Sequence, residues 1–168
     1  MVTGIVIPAE VGEPLRELDT SVPNAIAETV GGLMEAVDLY DLGVTVYVNE
    51  SGLLRHLPFN SRASFLWWYH VPSARQRAML VGEAVIVGLP DDNGADTDVP
   101  TAARDLLLSP RRYRVEVRTA GDPTWYRNRA TYPDYWEAIV WAMVLLERMS
   151  EVEETRVVPV DGDAAEAA

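Results

Sequence analysis

Six arginines, Arg111, Arg112, Arg114, Arg118, Arg127 and Arg129, fall on two successive expected strands together with Tyr113, Trp125 and Tyr126. Guanidinium groups interleaved with aromatic rings on one sheet face can hold phosphates and unpaired bases. Arg112, Arg114, Arg127 and Arg129 are therefore candidate ligand-binding residues. Glu116, Asp122 and Asp134 lie among them, and cross-strand charge pairs on an ordinary sheet surface give the same pattern. A second set lies nearer the N-terminus, with Glu35 on a strand, Asn49 and Glu50 in a turn and Asn60 ahead of a helix. These are candidate contacts to a polar ligand. Turn geometry accounts equally well for Asn49 and Glu50, helix capping for Asn60, and a solvated outer sheet face for Glu35.

Other chemistry finds little support. The chain has no cysteine, and its two histidines, His56 and His70, have no partner at ligand or triad spacing. Thiolate and histidine-rich metal sites are excluded. Asp91, Asp92, Asp96 and Asp98 resemble part of a calcium loop, but the register that ends in a glutamate is missing and a solvated loop explains them. No serine lies in Gly-x-Ser-x-Gly, and Gly31-Gly32 follows a helix where a dinucleotide site needs a strand first. No catalytic residue and no cofactor is assigned.

The net charge is −12 and all fourteen basic residues are arginine, which points to a GC-rich coding sequence rather than to chemistry. Residues 1–54 carry Arg16 against nine acids, whereas 55–90 carry four arginines against Glu83 alone. Such a distribution argues against direct nucleic-acid binding, which needs a broad basic surface. It fits solubility first and mimicry of a polyanion second. The N-terminus lacks the basic and apolar pattern of a secretory leader, and the apolar runs fall short of a membrane span, so a cytoplasmic protein with no membrane partner is expected.

These side chains must be positioned by an α+β fold. Thr3–Ile7 and Leu15–Leu18 read as a hairpin, 22–30 as a helix with Val22, Ile26 and Val30 on its sheet-facing side, and Leu33–Tyr40 with Val44–Val48 as two antiparallel strands. Leu53–Leu57 reads as a short extended piece, 61–70 as a helix capped by Asn60 or Ser61, and Glu83–Gly88 as a strand. The proline- and aspartate-rich 91–110 segment, with a short helix at its end, separates this N-terminal domain (1–90) from a module over 111–160. There Arg112–Thr119 alternates with Tyr113, Val115 and Val117 inward and Glu116 outward. Trp125–Thr131 returns as a strand, a helix runs from Asp134 to about Ser150, and Thr155–Val160 closes a ββαβ unit. Residues 161–168 read as a disordered acidic tail. The apolar run Ala138–Leu146 and the aromatic 61–70 helix need cover beyond one small sheet. A homodimer, or an interdomain core, is expected rather than an isolated second domain, with Trp67, Trp68, Trp136 and Trp141 as interface residues.

Five strings carry a resemblance: GIVIPAE; Val30-Gly31-Gly32 followed by Glu35-Ala36-Val37; VYVNESG; LPFN with Asn60 and Ala63; and VGEAVIVG. Over about residues 3–100 the chain resembles a family of small phage and mobile-element proteins of unknown function. The part with RYRVEVRT, WYRNRA, the long helix and TRVVPV is similar to small accessory modules of actinobacterial phages. The resemblance implies a phage-encoded accessory protein in the bacterial host cytoplasm, acting on host physiology or defence, with Glu35, Asn49, Glu50 and Asn60 as its recurring polar positions. The reading that follows is a non-enzymatic protein that binds a host protein or small ligand. The alternatives are a nucleotide or small-molecule sequestering protein, and an acidic nucleic-acid mimic.

Overall fold

The β-branched runs assemble into one five-stranded antiparallel sheet, ordered β2-β1-β5-β4-β3. Its members are β1 (Thr3–Ile7), β2 (Arg16–Asp19), β3 (Met34–Leu39), β4 (Val44–Asn49) and β5 (Ala84–Gly88). A computed structural model describes residues 2–160, and its contacts gather into two units, one ending at Asp105 and the other beginning at Leu106. The acidic tail expected over 161–168 lies outside the described residues.

In the first unit β5 is buried along its whole length, so both faces of the sheet are covered. Pairing sets Val6 beside Val85 and Val85 beside Tyr47, which puts these three side chains on one face. There Val6, Val85 and Val87 pack against Ile26 and Val30 of α1 (Ala25–Val30), with Leu18 and Tyr47 at the margin. The opposite face presents Ile5, Ile86 and Val46, each at most 1% exposed. The chain beyond β4 passes through turns to α2 (Ser61–His70), whose Ala63 and Leu66 are fully buried.

Asn60 fixes where α2 starts. Its side-chain oxygen accepts from the Ala63 N–H at 3.0 Å, and its amide nitrogen donates to the Ile7 and Gly82 carbonyls, each at 2.9 Å. One residue with no exposed surface thus ties the end of β1, the helix N-terminus and the lead into β5. Ser64 reinforces the junction, its hydroxyl accepting from the Leu80 N–H at 2.9 Å.

The second unit is a three-stranded antiparallel sheet ordered β7-β6-β8, with β6 (Tyr113–Thr119), β7 (Tyr126–Arg127) and β8 (Val152–Pro159). The helix α3 (Thr101–Leu108) leads into it, and α4 (Tyr135–Arg148) connects β7 to β8 and packs on β6 and β8. Asp134 caps α4 by accepting from the Glu137 N–H at 2.8 Å. Tyr135, Ala138, Ile139, Ala142 and Met143 form its buried stripe, and Tyr135 meets Tyr113 of β6 edge-on at 5.7 Å. The α+β class and the β-β-α-β ending expected from the sequence are the observed ones.

Four local expectations are corrected. α1 starts at Ala25 rather than at 22, because residues 19–25 make consecutive turns, and Val22 is left 52% exposed. Leu53–Leu57 is a run of turns, with Leu57 N–H bonded to the Gly52 carbonyl and His56 at positive φ, rather than an extended piece. The strand expected over Trp125–Thr131 is only Tyr126–Arg127, since the Asn128 side chain turns the chain by accepting from the Ala130 N–H. The last strand starts earlier than expected, at Val152.

Replacing Asn60 by alanine strands two buried carbonyls and one helix N–H. Asn60→Ala is expected to cost about 3 kcal/mol, read as a lower urea midpoint at unchanged slope. A loss below about 1 kcal/mol, the scale of one ordinary hydrogen bond, would refute this role.

Candidate functional site

The N-terminal set of candidate residues does not converge. Asn49 is buried at the end of β4, donating to the Val30 carbonyl at 3.0 Å and accepting from the Ser51 N–H at 2.8 Å. It links the C-terminus of α1 to the turn after β4, a link that Arg55 repeats by donating to the Gly31 carbonyl at 2.8 Å. Glu35 is exposed on the edge strand β3 opposite Val48, while its neighbour Met34 stands opposite Asn49. Alternation therefore points Glu35 and Asn49 to opposite faces. The Glu50 side chain is exposed. With Asn60 bonded at both ends of its amide, both asparagines are fold determinants.

Polar groups that sequence spacing did not bring together meet in four places. The Thr45 hydroxyl donates to Asp38 at 2.6 Å, and the Tyr47 hydroxyl donates to Asp96 at 3.0 Å. Burial, together with the hydrogen bond and negative charge of Asp96, pushes the Tyr47 phenol up to about 12, so it stays protonated and serves to hold the 91–98 loop. Asp91 and Asp98 of that loop are also separately engaged. Asp91 accepts from the Asn93 and Ala95 N–H groups and Asp98 from the Thr3 N–H. Among the described residues, no three histidine, aspartate or glutamate side chains are placed to hold a metal ion. His70, which appeared partnerless in sequence, contacts Asp41 at 2.8 Å across 29 residues. At the end of β1, Arg62 donates to the Pro8 and Glu10 carbonyls, and burial lowers its pKa against the opposing effect of Glu83 and Glu13.

The arginine-rich set lies in the second unit, where it forms a layered face. Glu116 was expected to point outward into solvent; it does lie on the outer face but is only 6% exposed. Arg114 and Arg156 account for the difference, donating to its two carboxylate oxygens at 3.0 and 2.7 Å. Arg118 donates to Glu154 at 2.5 Å, and the Trp125 ring lies over this row, 4.2 Å from the Arg156 guanidinium and 5.6 Å from that of Arg118. Burial raises the Glu116 pKa, but the hydrogen bonds and charges of Arg156 and Arg114 outweigh it and hold the carboxyl below its ordinary value. Arg112 is turned away to Thr131, bonding its hydroxyl at 3.0 and 2.8 Å. Arg127 and Arg129 are exposed, and Arg127 pairs in register with Glu116, which places it on the Trp125 face. The clue to this face was Trp125, which the sequence reading included but gave no partner.

The aromatic residues divide likewise. Trp68 donates to the Ala78 carbonyl at 2.7 Å and stands 5.5 Å from Phe65 and 6.5 Å from Phe59, ring centre to ring centre. Phe59 is 42% exposed. Trp67 is half-buried on α2. Trp136 is half-buried and bonded to the Leu107 carbonyl at 3.1 Å, whereas Trp141 is exposed and stacks on Tyr132 at 6.1 Å. A surface cleft lined by Leu18, Asp19, Val22, Ala25, Glu28 and Thr29 contains none of the candidate residues.

Residues 2–109 match the family described as Domain of unknown function (DUF3846), a span that contains the whole five-stranded sheet with α1, α2 and α3. The chain belongs to the DUF3846 family. No curated protein and no solved structure matches it. The DUF3846 span includes the Asn60 junction and the Phe59–Phe65–Trp68 cluster, while the arginine and Trp125 face lies beyond it. Among the described residues no helix is long and apolar enough to cross a membrane.

Glu116→Gln tests the charged row. Because the Glu116 pKa is lower in the folded state, its contribution to stability is fully present above the ordinary carboxylate value of about 4.3 and is lost as pH falls through the lowered folded value. The variant is expected to be less stable than the parent by about 2 kcal/mol near neutrality. That gap narrows in urea titrations carried out below the ordinary carboxylate value. A gap independent of pH would contradict the charge-based account.

Proposed function

We propose that this DUF3846 protein is a non-enzymatic accessory protein of a phage or mobile element, and that it works in the host cytoplasm by binding a host protein through the Phe59–Phe65–Trp68 cluster. The observation that carries the reading is this trio of mutually contacting rings, with Phe59 42% exposed. Large aromatic side chains at the centre of a patch commonly dominate binding energy between proteins. The buried and half-buried polar residues Asn49, Asn60 and Tyr47 of the same unit are bonded within the fold. Beside the cluster, Arg75 bonds the Trp68 carbonyl at 3.0 Å and adds a positive charge there. A partner with an apolar pocket and an acidic rim complements such a surface. The resemblance of residues 3–100 to small phage and mobile-element proteins supports the cellular setting.

Phe59→Asp tests the patch, since this exposed ring can change without touching the Asn60 junction. Capture from host lysate with the parent and the variant, compared by quantitative mass spectrometry, is expected to show a host protein that the variant loses by at least about tenfold, the scale of a hot spot worth roughly 1.4 kcal/mol or more. Circular dichroism checks that the variant is folded. Identical capture profiles would reject the reading.

A second reading, nucleotide or small-molecule sequestration, draws on one observation: Trp125 stacked on Arg156, with the exposed Arg127 on the same face. A nucleotide stacked on that indole would quench Trp125 fluorescence, and Arg127→Ala would weaken the binding. Calorimetric titration showing no heat and no quenching with any common nucleotide would remove this alternative.

A further inference from the structure

We infer that the free edge of β8 is self-complementary, and that two copies of this chain join there in antiparallel fashion to extend each three-stranded sheet into one continuous sheet. The inference concerns a different surface from the aromatic cluster and does not depend on what that cluster binds.

The backbone pattern shows which groups face the open edge. Tyr113 uses both its N–H and its carbonyl with Tyr132, at 2.9 and 2.7 Å, on the side of β6 away from β8. Val160 N–H instead reaches the Arg112 carbonyl at 2.9 Å. Antiparallel pairs alternate between bonded and non-bonded, so Glu154, Arg156 and Val158 are the β8 residues bonded to β6. Thr155, Val157 and Pro159 direct their backbone groups away from it. Among the described residues β8 has β6 as its only strand neighbour. A row of unpaired backbone groups along an edge strand is a template for another strand, and Pro159, lacking an N–H, ends the run of donors.

Charge selects both the occupant and the register. With Thr155 opposite Thr155 of the second copy, Glu154 of each chain stands opposite Arg156 of the other. Within one chain Arg127 pairs with Glu116, Glu116 with Arg156, and Arg118 with Glu154. Across the two-fold axis the row therefore reads Arg127, Glu116, Arg156, then Glu154 and Arg118 of the second copy, with signs alternating throughout. The symmetry-related row reads the same from the other side. A shift to the next backbone-compatible register puts Arg156 opposite Arg156 in one direction and Glu154 opposite Glu154 in the other, and like charges directly opposed are destabilising. The edge strand β3 of the first unit offers no such match, because Glu35 and Asp38 are its only charged residues.

The chain contains no cysteine, so single-cysteine variants report the register directly. At the axis, the two Cα atoms of residue 155 would lie about 5.5 Å apart, within the range of roughly 4.4–6.8 Å for a disulfide. Those of residue 157 would be offset by about 13 Å along the strands at ~3.3 Å per residue, too far apart for a disulfide. Light scattering is expected to give a dimer mass for the parent protein at micromolar concentration. Under mild oxidation Thr155→Cys is expected to form a covalent dimer and Val157→Cys to remain single on a non-reducing gel. A monomeric parent overturns the inference. So does a dimer in which Thr155→Cys fails to cross-link, or in which Val157→Cys cross-links equally well. Phe59→Asp keeps the dimer mass, so loss of the aromatic contact and loss of this interface read out separately.

Discussion

The first unit depends on satisfying backbone groups where its strands end. A sheet buried on both faces leaves carbonyls at its strand termini that water cannot reach, and each costs stability unless a donor is supplied. Asn60 supplies two such donors and one acceptor from a single side chain, so the end of β1, the start of α2 and the lead into β5 share one set of bonds. Asn49 does the same on a smaller scale between α1 and the turn after β4. The apolar faces drive the layers together, but these amides determine where each layer begins. Residue types often associated with ligand recognition thus serve here as internal fasteners.

The second unit organises itself around charge. Glu116 lies almost fully buried on the sheet face opposite the one that α4 covers, and its cover comes from arginines held by that carboxylate and from an indole lying on their guanidinium planes. A buried carboxylate is tolerated because two cationic donors meet it. Those same donors hold the Glu116 carboxyl below its ordinary value, so the row responds to acid through Glu116.

Most of the architecture was legible in the sequence because its signals are local. The β-branched runs, the Asn60 and Asp134 caps and the alternation through Arg112–Thr119 each depend on a few adjacent residues, and the α+β class with its β-β-α-β ending followed from them. Boundaries were lost where turn chemistry competed with pattern, as at Val22 and over Leu53–Leu57, where Val22, Leu53 and Leu54 proved to be exposed in turns. The candidate sites were less legible, because burial of a polar side chain depends on partners distant in sequence. Alternation placed Glu116 on the correct face, but nothing near it in sequence showed that Arg156, forty residues on, would close over it. The same separation hid the pairing of His70 with Asp41 and of Tyr47 with Asp96.

The position of β5 has a consequence for synthesis. β1 and β4 are neighbours of β5 but not of each other, and Ile5 pairs with Ile86. As the chain leaves the ribosome, the β1–β2 and β3–β4 hairpins can each close on nearby residues. The strand that joins them is made last, so the two hairpins have no common sheet until β5 has emerged. Until then the apolar faces of Ile5, Ile7 and Val46 lack their central neighbour, and the nascent chain must carry them as separate ribbons. Non-local pairing of this kind slows folding, and it sets the length of chain that must be translated before the DUF3846 core can exist.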